Sequence, residues 1–320
     1  MSGVRSSQRG VALIVALLVV ALATILIAAL LDRGSLIAAR TRNGLRDTQA
    51  QDYAVGLESY AAHVLSQDFE QDPDTDSADD IWAIPLPPTP VPGGEINATM
   101  TDLDGRFNLN NLSPDSASSP NPQQGNWRDA FGLLLDALKL DPALAGNIEN
   151  WMNNGSAANT DDAWYAAQYV PYRSGKRIFS HVSELRLVKG FDGDTYARIL
   201  PHVSALPVGT TININTATVP VLMTFLPGYS EQEATGVWQQ GHAHYAAGEI
   251  NTASSGGQSL LPRIRYPSLY GVQSHYFLAR GDITLDGLPF TFYSLIERRL
   301  GSGNGADAGI HVLQRSRGGD

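Results

Sequence analysis

Residues 11–31, VALIVALLVVALATILIAALL, contain no charged side chain. At ~1.5 Å of rise per residue such a helix is about 31 Å long. The hydrocarbon core of a bilayer is roughly 30 Å thick, so the run is long enough to cross it. Lipid offers the backbone no hydrogen-bond partners, and a helix satisfies its own. Arg5 and Arg9 precede the run, and Arg33, Arg40, Arg42 and Arg46 follow it. Positive charge on both sides leaves the orientation open on charge alone.

Three fates fit such a segment. A secretory signal would be cut after Ala21-Leu22-Ala23, leaving eight apolar residues behind and discarding a membrane-length run. An ordinary anchor would be kept uncut. The third fate uses Gly10, which stands directly behind Arg9 at the polar-to-apolar junction. This junction resembles the type III signal of type IV pilins and pseudopilins. That resemblance implies that a prepilin peptidase cuts between Gly10 and Val11, that Val11 is then N-methylated, and that the apolar helix is retained. Most pilin-like chains carry Glu at the fifth mature position, where this chain has Val15. In those relatives the carboxylate is held to pair with the N-terminal ammonium of a subunit already in the filament. A buried unpaired charge is costly, so such a pair guides docking. A subunit without it suits the first, distal position.

The rest of the 320 residues supply material for a sizeable core. Formal charge is −10, with three lysines against nineteen arginines, so the chain as a whole repels nucleic acid phosphates. There is no cysteine, which excludes disulfides and thiolate chemistry.

Tyr53, Leu57, Tyr60, Ala61 and Val64 recur at helical spacing and predict a core-facing stripe on a continuing helix. Asp72, Asp74 and Asp76 alternate like the start of an EF-hand loop. The sixth position is Ser77 and the twelfth Ala83, however, so the segment reads as a solvated surface loop. The proline-rich stretch 85–94 reads as an extended linker. Alternation at Ile96, Ala98 and Met100, then Asp104-Gly105, then Phe107 and Leu109 predicts a hairpin. Asn108, Asn110 and Asn111 are read as bonding backbone at its end. Helical patterns fill 127–140, 144–154 and 181–206, the last broken at Gly190. Residues 274–300 predict a strand meander turning at Arg280-Gly281-Asp282 and at Asp286-Gly287, and 301–320 read as a glycine-rich flexible tail.

Two further segments carry family resemblance. TDLDGRFNLNNL (101–112) resembles a Gly-Arg-Phe-Asn-Leu-Asn segment of the type II secretion minor pseudopilins known as general secretion pathway protein K. TTININTATVPVLMTFLPG (210–228) resembles a helix-hairpin-helix unit, with Thr216 as N-cap and Gly228 in the turn. Tyr229, Ser230, Glu231, Gln232 and Glu233 flank that turn, and two carboxylates beside it disfavour phosphate contact.

The resemblance implies an α+β pilin-like fold. A long N-terminal helix would pack on an antiparallel β-sheet interrupted by a large inserted all-α domain. In those terms the chain divides into a leader (1–10), a transmembrane part of the helix (11–31), a pilin-like part (32–112), a helical insertion (113–265), C-terminal sheet strands (266–300) and the tail (301–320). The implied role is a minor pseudopilin that initiates and caps the tip of the pseudopilus. It would be single-pass in the inner membrane, with its C-terminal domain in the periplasm. The implied partners are minor pseudopilins I and J, also H and the major pseudopilin G, the prepilin peptidase, and secreted substrates at the tip. Nucleic acid is not among them. A membrane-anchored DNA-uptake protein working through Leu226-Pro227-Gly228 is the rival reading. The resemblance also implies a calcium site in the helical insertion, where an acidic segment after a Trp is followed by an acidic pair before a Tyr. The matching residues here are Asn153, Asn154, Asp161 and Asp162. Amides in place of two carboxylates imply that calcium is bound weakly or lost.

No Gly-x-Ser-x-Gly, His-Glu-x-x-His, Walker loop or dinucleotide fingerprint occurs, so no enzyme is read from the chain. His242 and His244 flank Ala243, and two ligands without a third make no zinc site.

Overall fold

The computed structural model describes residues 9–114, 121–153, 161–224, 230–251, 264–299 and 309–318. It divides into two units, residues 1–55 and 56–320. Helix α1 runs from Arg9 to Gln71. In order follow β1 (Leu86–Val91), β2 (Gly94–Asp102), β3 (Phe107–Asn108), α2 (Gln124–Ala137), α3 (Ala143–Met152), α4 (Asp162–Ala166) and α5 (Gly193–Ile199). Then come β4 (Val203–Ser204), β5 (Ile212–Asn213), α6 (Val219–Leu222), α7 (Glu231–Trp238), α8 (Ala247–Asn251) and β6 (Tyr270–Gly271). The strands β7 (Tyr276–Leu285), β8 (Leu288–Arg299) and β9 (Gly309–Arg317) close the chain.

In the first unit the apolar residues of α1 are exposed along the whole run from Val11 to Leu31. The hydroxyl of Thr24 donates to the carbonyl of Val20 at 2.8 Å, so the one polar side chain in the run is satisfied within the helix.

The second unit holds a five-stranded antiparallel sheet of order β1-β2-β7-β8-β9. Neighbours β2 and β7 lie far apart in sequence, and the helical part is the chain between them. On the sheet lie Ala61, Val64 and Leu65 of α1, packed with Trp82, Phe277 and Ile296. Tyr60 belongs to the predicted stripe, yet it is 44% exposed. The seam follows 57, 61, 64, 65 and 68, and Tyr60 falls off it. Gly281 lets helix and sheet approach, because a Cβ there would lie 2.7 Å from Leu57 Cδ1.

Several expected boundaries shift. The stretch 85–94 is not a linker: it contains β1, an edge strand whose prolines suit a position where one side of the ladder is unpaired. Asp104-Gly105 does not close a hairpin. β3 pairs in parallel with β4 instead, and Phe107, Leu109 and Leu112 join the core of the helical part, as do Leu269, Tyr270 and Val272. The segment Arg280-Gly281-Asp282 is no turn, since β7 runs straight through it. The turn at Asp286-Gly287 stands, with φ of 48° and 78°, the left-handed pair that matches the twist of a two-residue hairpin. Residues 309–317 of the expected tail form β9, because Ile310 and Val312 pack on the sheet core. Arg315 then clamps Glu58 of α1 with a contact of 2.7 Å. Glycines at 301–305 dominate the composition and hide that strand in the sequence.

The asparagines of the 101–112 segment bond backbone, but far along the chain. Asn110 Nδ2 donates to the carbonyls of Phe179 (3.0 Å) and Leu206 (2.8 Å), while its Oδ1 accepts from the Phe179 amide at 2.7 Å. Asn108 and Asn111 do the same to Leu206, Pro207, Gly209 and Thr210.

Gly281→Val is expected to destabilise the second unit by about 1–3 kcal/mol, the usual cost of overpacking. Adding Leu57→Ala relieves the overlap, so urea denaturation should show the double variant less destabilised than the two single losses summed.

Candidate functional site

Two features of the chain are arranged for work, namely the bare apolar helix and a buried ionic joint. The joint is built where the end of α1, the loop 72–80, the end of β2, β5 and the end of β8 meet. Strand alternation puts Ser294, Ile296 and Arg298 of β8 on the buried face. Arg298 is 4% exposed. Its guanidinium donates to both oxygens of Asp76 at 2.5 Å, to Asp68 Oδ2 at 3.3 Å and to the Ser274 carbonyl at 2.7 Å. The Phe277 ring lies 5.1 Å below it and the Phe69 ring 5.7 Å away.

A second layer of carboxylates sits beside this one. Asp102 Oδ2 accepts from the hydroxyl of Ser274 at 2.6 Å and from that of Thr216. Asp104 Oδ2 accepts from the amides of His275 (2.6 Å) and Tyr276 (2.8 Å), while its Oδ1 is buried without a partner. Asn213 Nδ2 donates to the Asp76 carbonyl at 3.0 Å and to Ser274 Oγ at 2.7 Å. Gly105 passes against Thr216, where a Cβ would meet the Thr216 carbonyl oxygen at 2.7 Å.

Four aspartates of the joint are thus buried beside one buried guanidinium, which contacts two of them, Asp68 and Asp76. Burial, reinforced by Asp80 and Asp76, pushes the Asp68 carboxyl up to about 7 against the pull of Arg298. Burial pushes Asp102 up to about 6, opposed by the Ser274 and Thr216 hydroxyls. Asp104 is raised by burial and by neighbouring Asp102. His275 is lowered, by burial and then by Arg298. Oxygens of Asp68, Asp76 and Asp80 lie within 4.8 Å of one another; Arg298 is already the cation of Asp68 and Asp76, and Asp80 accepts from the Ser77 amide at 2.7 Å and hydroxyl at 2.8 Å.

The loop 72–80 is therefore not the solvated loop expected. Asp72 turns back on its own backbone, accepting from the amides of Asp74 (3.1 Å) and Thr75 (3.2 Å), while Asp76 and Ser77 are buried. His242 and His244 do not converge on a metal. They reach this loop instead, His242 Nδ1 lying 2.6 Å from Asp79 and His244 Nε2 3.8 Å from Asp72.

In the segment 210–228, the N-cap of α6 is Thr218, whereas Thr216 serves the joint. Leu226, Pro227 and Gly228 lie outside the described residues. The following helix α7 is capped by Ser230, and Glu233 bonds back to the Ser230 amide at 2.8 Å. A carboxylate thus occupies the helix N-terminus where a phosphate would have to bind.

Among the described residues matched to the calcium site that the resemblance implies, both carboxylates are already engaged by ammonium groups. Asp161 Oδ1 meets Lys189 Nζ at 2.6 Å, and its Oδ2 accepts from Asn150 Nδ2 at 3.0 Å. Asp162 Oδ1 accepts from the Ser174 hydroxyl at 2.9 Å, and its Oδ2 lies 3.6 Å from Lys176 Nζ. Asn153 is the C-cap of α3, and Asn154 lies outside the described residues. Calcium takes six to eight oxygens, and here two ammonium groups already balance the two carboxylates.

Of the processing residues, Gly10 and Val11 fall in the first turn of α1, and the leader residues 1–8 lie outside the described residues.

A family model described as type II secretion system (T2SS), protein K matches residues 105–208. The type II secretion system protein K of Pseudomonas aeruginosa is 31% identical over 327 residues, covering 98% of this chain and 94% of its own. That of Pectobacterium carotovorum is 37% identical over 254 residues, covering 74% and 76%. The chain belongs to the type II secretion system protein K family. Its fold matches a chain in the crystal structure of the GspK-GspI-GspJ complex from enterotoxigenic Escherichia coli, with a TM-score of 0.66 and 26% identity over 88% of this chain and 100% of that one. The protein is thus a minor pseudopilin of type II secretion, α+β in class, with one N-terminal helix long and apolar enough to cross a membrane. The DNA-uptake reading finds no support in these relatives or in the capping at Ser230.

Replacing Arg298 with Met leaves buried carboxylates without their counter-charge. Loss of one partner from a buried pair costs roughly 3–5 kcal/mol, so urea denaturation of Arg298→Met should show a loss in that range.

The joint also sets a pH dependence. Folded Asp68 releases its proton only near 7, whereas an unfolded aspartate releases it near 3.8. Between these values the folded state binds more protons, so this contribution falls as pH rises through the window. Asp102 and Asp104 act in the same sense and His275 in the opposite one, so the comparison with a variant isolates Asp68: between pH 5 and pH 7.5 the melting temperature of Asp68→Asn should fall less, or rise more, than that of wild type, and an identical slope contradicts the assignment.

Proposed function

We propose that this minor pseudopilin initiates and caps the tip of the type II secretion pseudopilus. In this role it assists export of folded proteins across the outer membrane mechanically, without catalysing a reaction. The observation that carries the proposal is α1, whose uncharged run from Val11 to Leu31 stands exposed and bears Val15 where a docking carboxylate would be. Apolar side chains in that number are unstable in water and need either lipid or other helices. Without a carboxylate at position 15 the helix gains nothing by docking beneath another N-terminal ammonium. It still offers its own ammonium, created by cleavage, to the subunit below. That asymmetry favours the distal end.

The helical part supports the same reading. It leaves the sheet between β2 and β7 and carries its own apolar core, from Phe107 to Val272. So large a body attached to one subunit obstructs further addition on its side. The relative from enterotoxigenic E. coli was solved in a complex with GspI and GspJ. We extend those two partners to this chain, with H and the major pseudopilin G below them and helix-to-helix packing as the shared contact. Insertion with the body on the periplasmic side follows from processing in front of Val11.

Mass spectrometry of the membrane form tests the proposal. The expected mass lacks residues 1–10 and gains one methyl group on Val11. A chain that keeps Met1 in cells containing the peptidase, or one that begins at Thr24, contradicts it.

A further inference from the structure

Only three lysines occur in the chain, Lys139, Lys176 and Lys189, while arginine supplies the other nineteen cations. Two of those three lysines stand at the Asp161–Asp162 pair. The placement is selective, since the buried joint and the Glu58 clamp both use arginine. An ammonium is a compact point charge, and it resembles a small metal cation more closely than a planar guanidinium does.

The geometry around Lys189 is that of a cross-brace. The Asp161 side chain is 5% exposed, and its carbonyl accepts from the amides of Trp164 (2.9 Å) and Tyr165 (3.1 Å) at the start of α4. The Lys189 carbonyl accepts from Asn147 Nδ2 of α3 at 3.0 Å, and its amide donates to the Tyr165 hydroxyl at 3.4 Å. Next in sequence, Gly190 has φ of +88°, and a Cβ there would meet Leu144 Cδ2 of α3 at 2.8 Å. The backbone at 189–190 is thus seated against α3, and the ammonium reaches from there to Asp161. Asn150 of α3 completes the link by donating to the other oxygen of the same carboxylate. A cation at Asp161 joins α3, α4 and the 182–190 segment.

We propose that Lys189 supplies the cation at Asp161 in place of calcium, so that α3, α4 and the 182–190 segment are held together there without a divalent metal. The charges agree: two carboxylates and two ammoniums leave no net negative charge to attract a divalent ion. The polar contacts agree as well, because Asn150 turns its amide nitrogen, a donor, toward Asp161 rather than a ligating oxygen.

The test uses the full-length chain in detergent micelles, with calcium chloride and EDTA as the probes. Wild-type protein should melt at the same temperature in millimolar EDTA and in millimolar calcium, and a calorimetric calcium titration should be flat. Lys189→Met should melt several degrees lower in EDTA and recover most of that loss in calcium, because Asp161 then lacks a cation. Lys139→Met, which removes a lysine that does not contact Asp161 or Asp162, should respond like wild type. A wild-type melting temperature that falls on chelation or rises with calcium overturns the proposal. So does a Lys189→Met protein that melts as wild type does in EDTA, or one whose loss calcium leaves unrepaired. If Lys189→Met does not fold in EDTA, refolding it in calcium decides in the same way: recovery supports the substitution, and failure to recover overturns it.

Discussion

Arg298 is the residue on which the second unit turns. Its guanidinium is 4% exposed and touches the end of α1 through Asp68, the loop 72–80 through Asp76, and the segment before β7 through the Ser274 carbonyl. Asp76 in turn reaches the helical part through Asn213, and Asn213 shares Ser274 with Asp102. Helix, sheet and helical part are therefore joined by one ionic network rather than by apolar packing alone. Buried charges of this kind add little net stability compared with a well-packed apolar core, but they are costly to separate. Such a joint fixes one geometry and penalises every other.

That property suits the proposed role, in which the subunit works by position. Within the second unit, the end of α1 is held firmly to the folded body. Between residues 57 and 69 the helix is fixed to the sheet in three ways: by Leu57 in the space left by Gly281, by Glu58 bonded to Arg315 and Ser294, and by Asp68 at Arg298. The sheet is unsuited to edge-on association. Prolines disrupt β1 at one edge, and β9 at the other carries a bulge near Leu295 with His311, Arg315 and Arg317 along it. In the proposed role, the exposed run of α1 offers an apolar surface for assembly.

Much of this is legible in the sequence. The uncharged run at 11–31 needs only a length argument, and Asp286-Gly287 announces its hairpin. The order of strands, helices and strands points to the α+β class. What stays hidden is mostly long-range. Asp76 reads as one more acid in an acidic loop, because its partner lies 222 positions away. Arg298 and Arg299 look alike in sequence, and only strand alternation with Ile296 separates the buried one from the exposed one. Thr216 reads as a helix cap because its actual acceptor, Asp102, belongs to the sheet. Strand β9 is masked by neighbouring glycines. The Asp104-Gly105 pair mimics a hairpin turn, but Phe107 finds a better apolar partner in the helical core than in the sheet. The lysines at 176 and 189 are marked by their scarcity alone.

The claim that the joint welds the second unit into one cooperative body is tested most directly by native-state hydrogen exchange on the full-length protein in detergent. The amides of Asp76, Ser274, His275 and Tyr276 donate within the network or beside it. They should exchange in the slowest class, with the same free energy and denaturant dependence as the amides of β7 and β8. If they exchange through a separate, cheaper opening while the central strands remain protected, the joint is a local contact and the second unit is not one cooperative body.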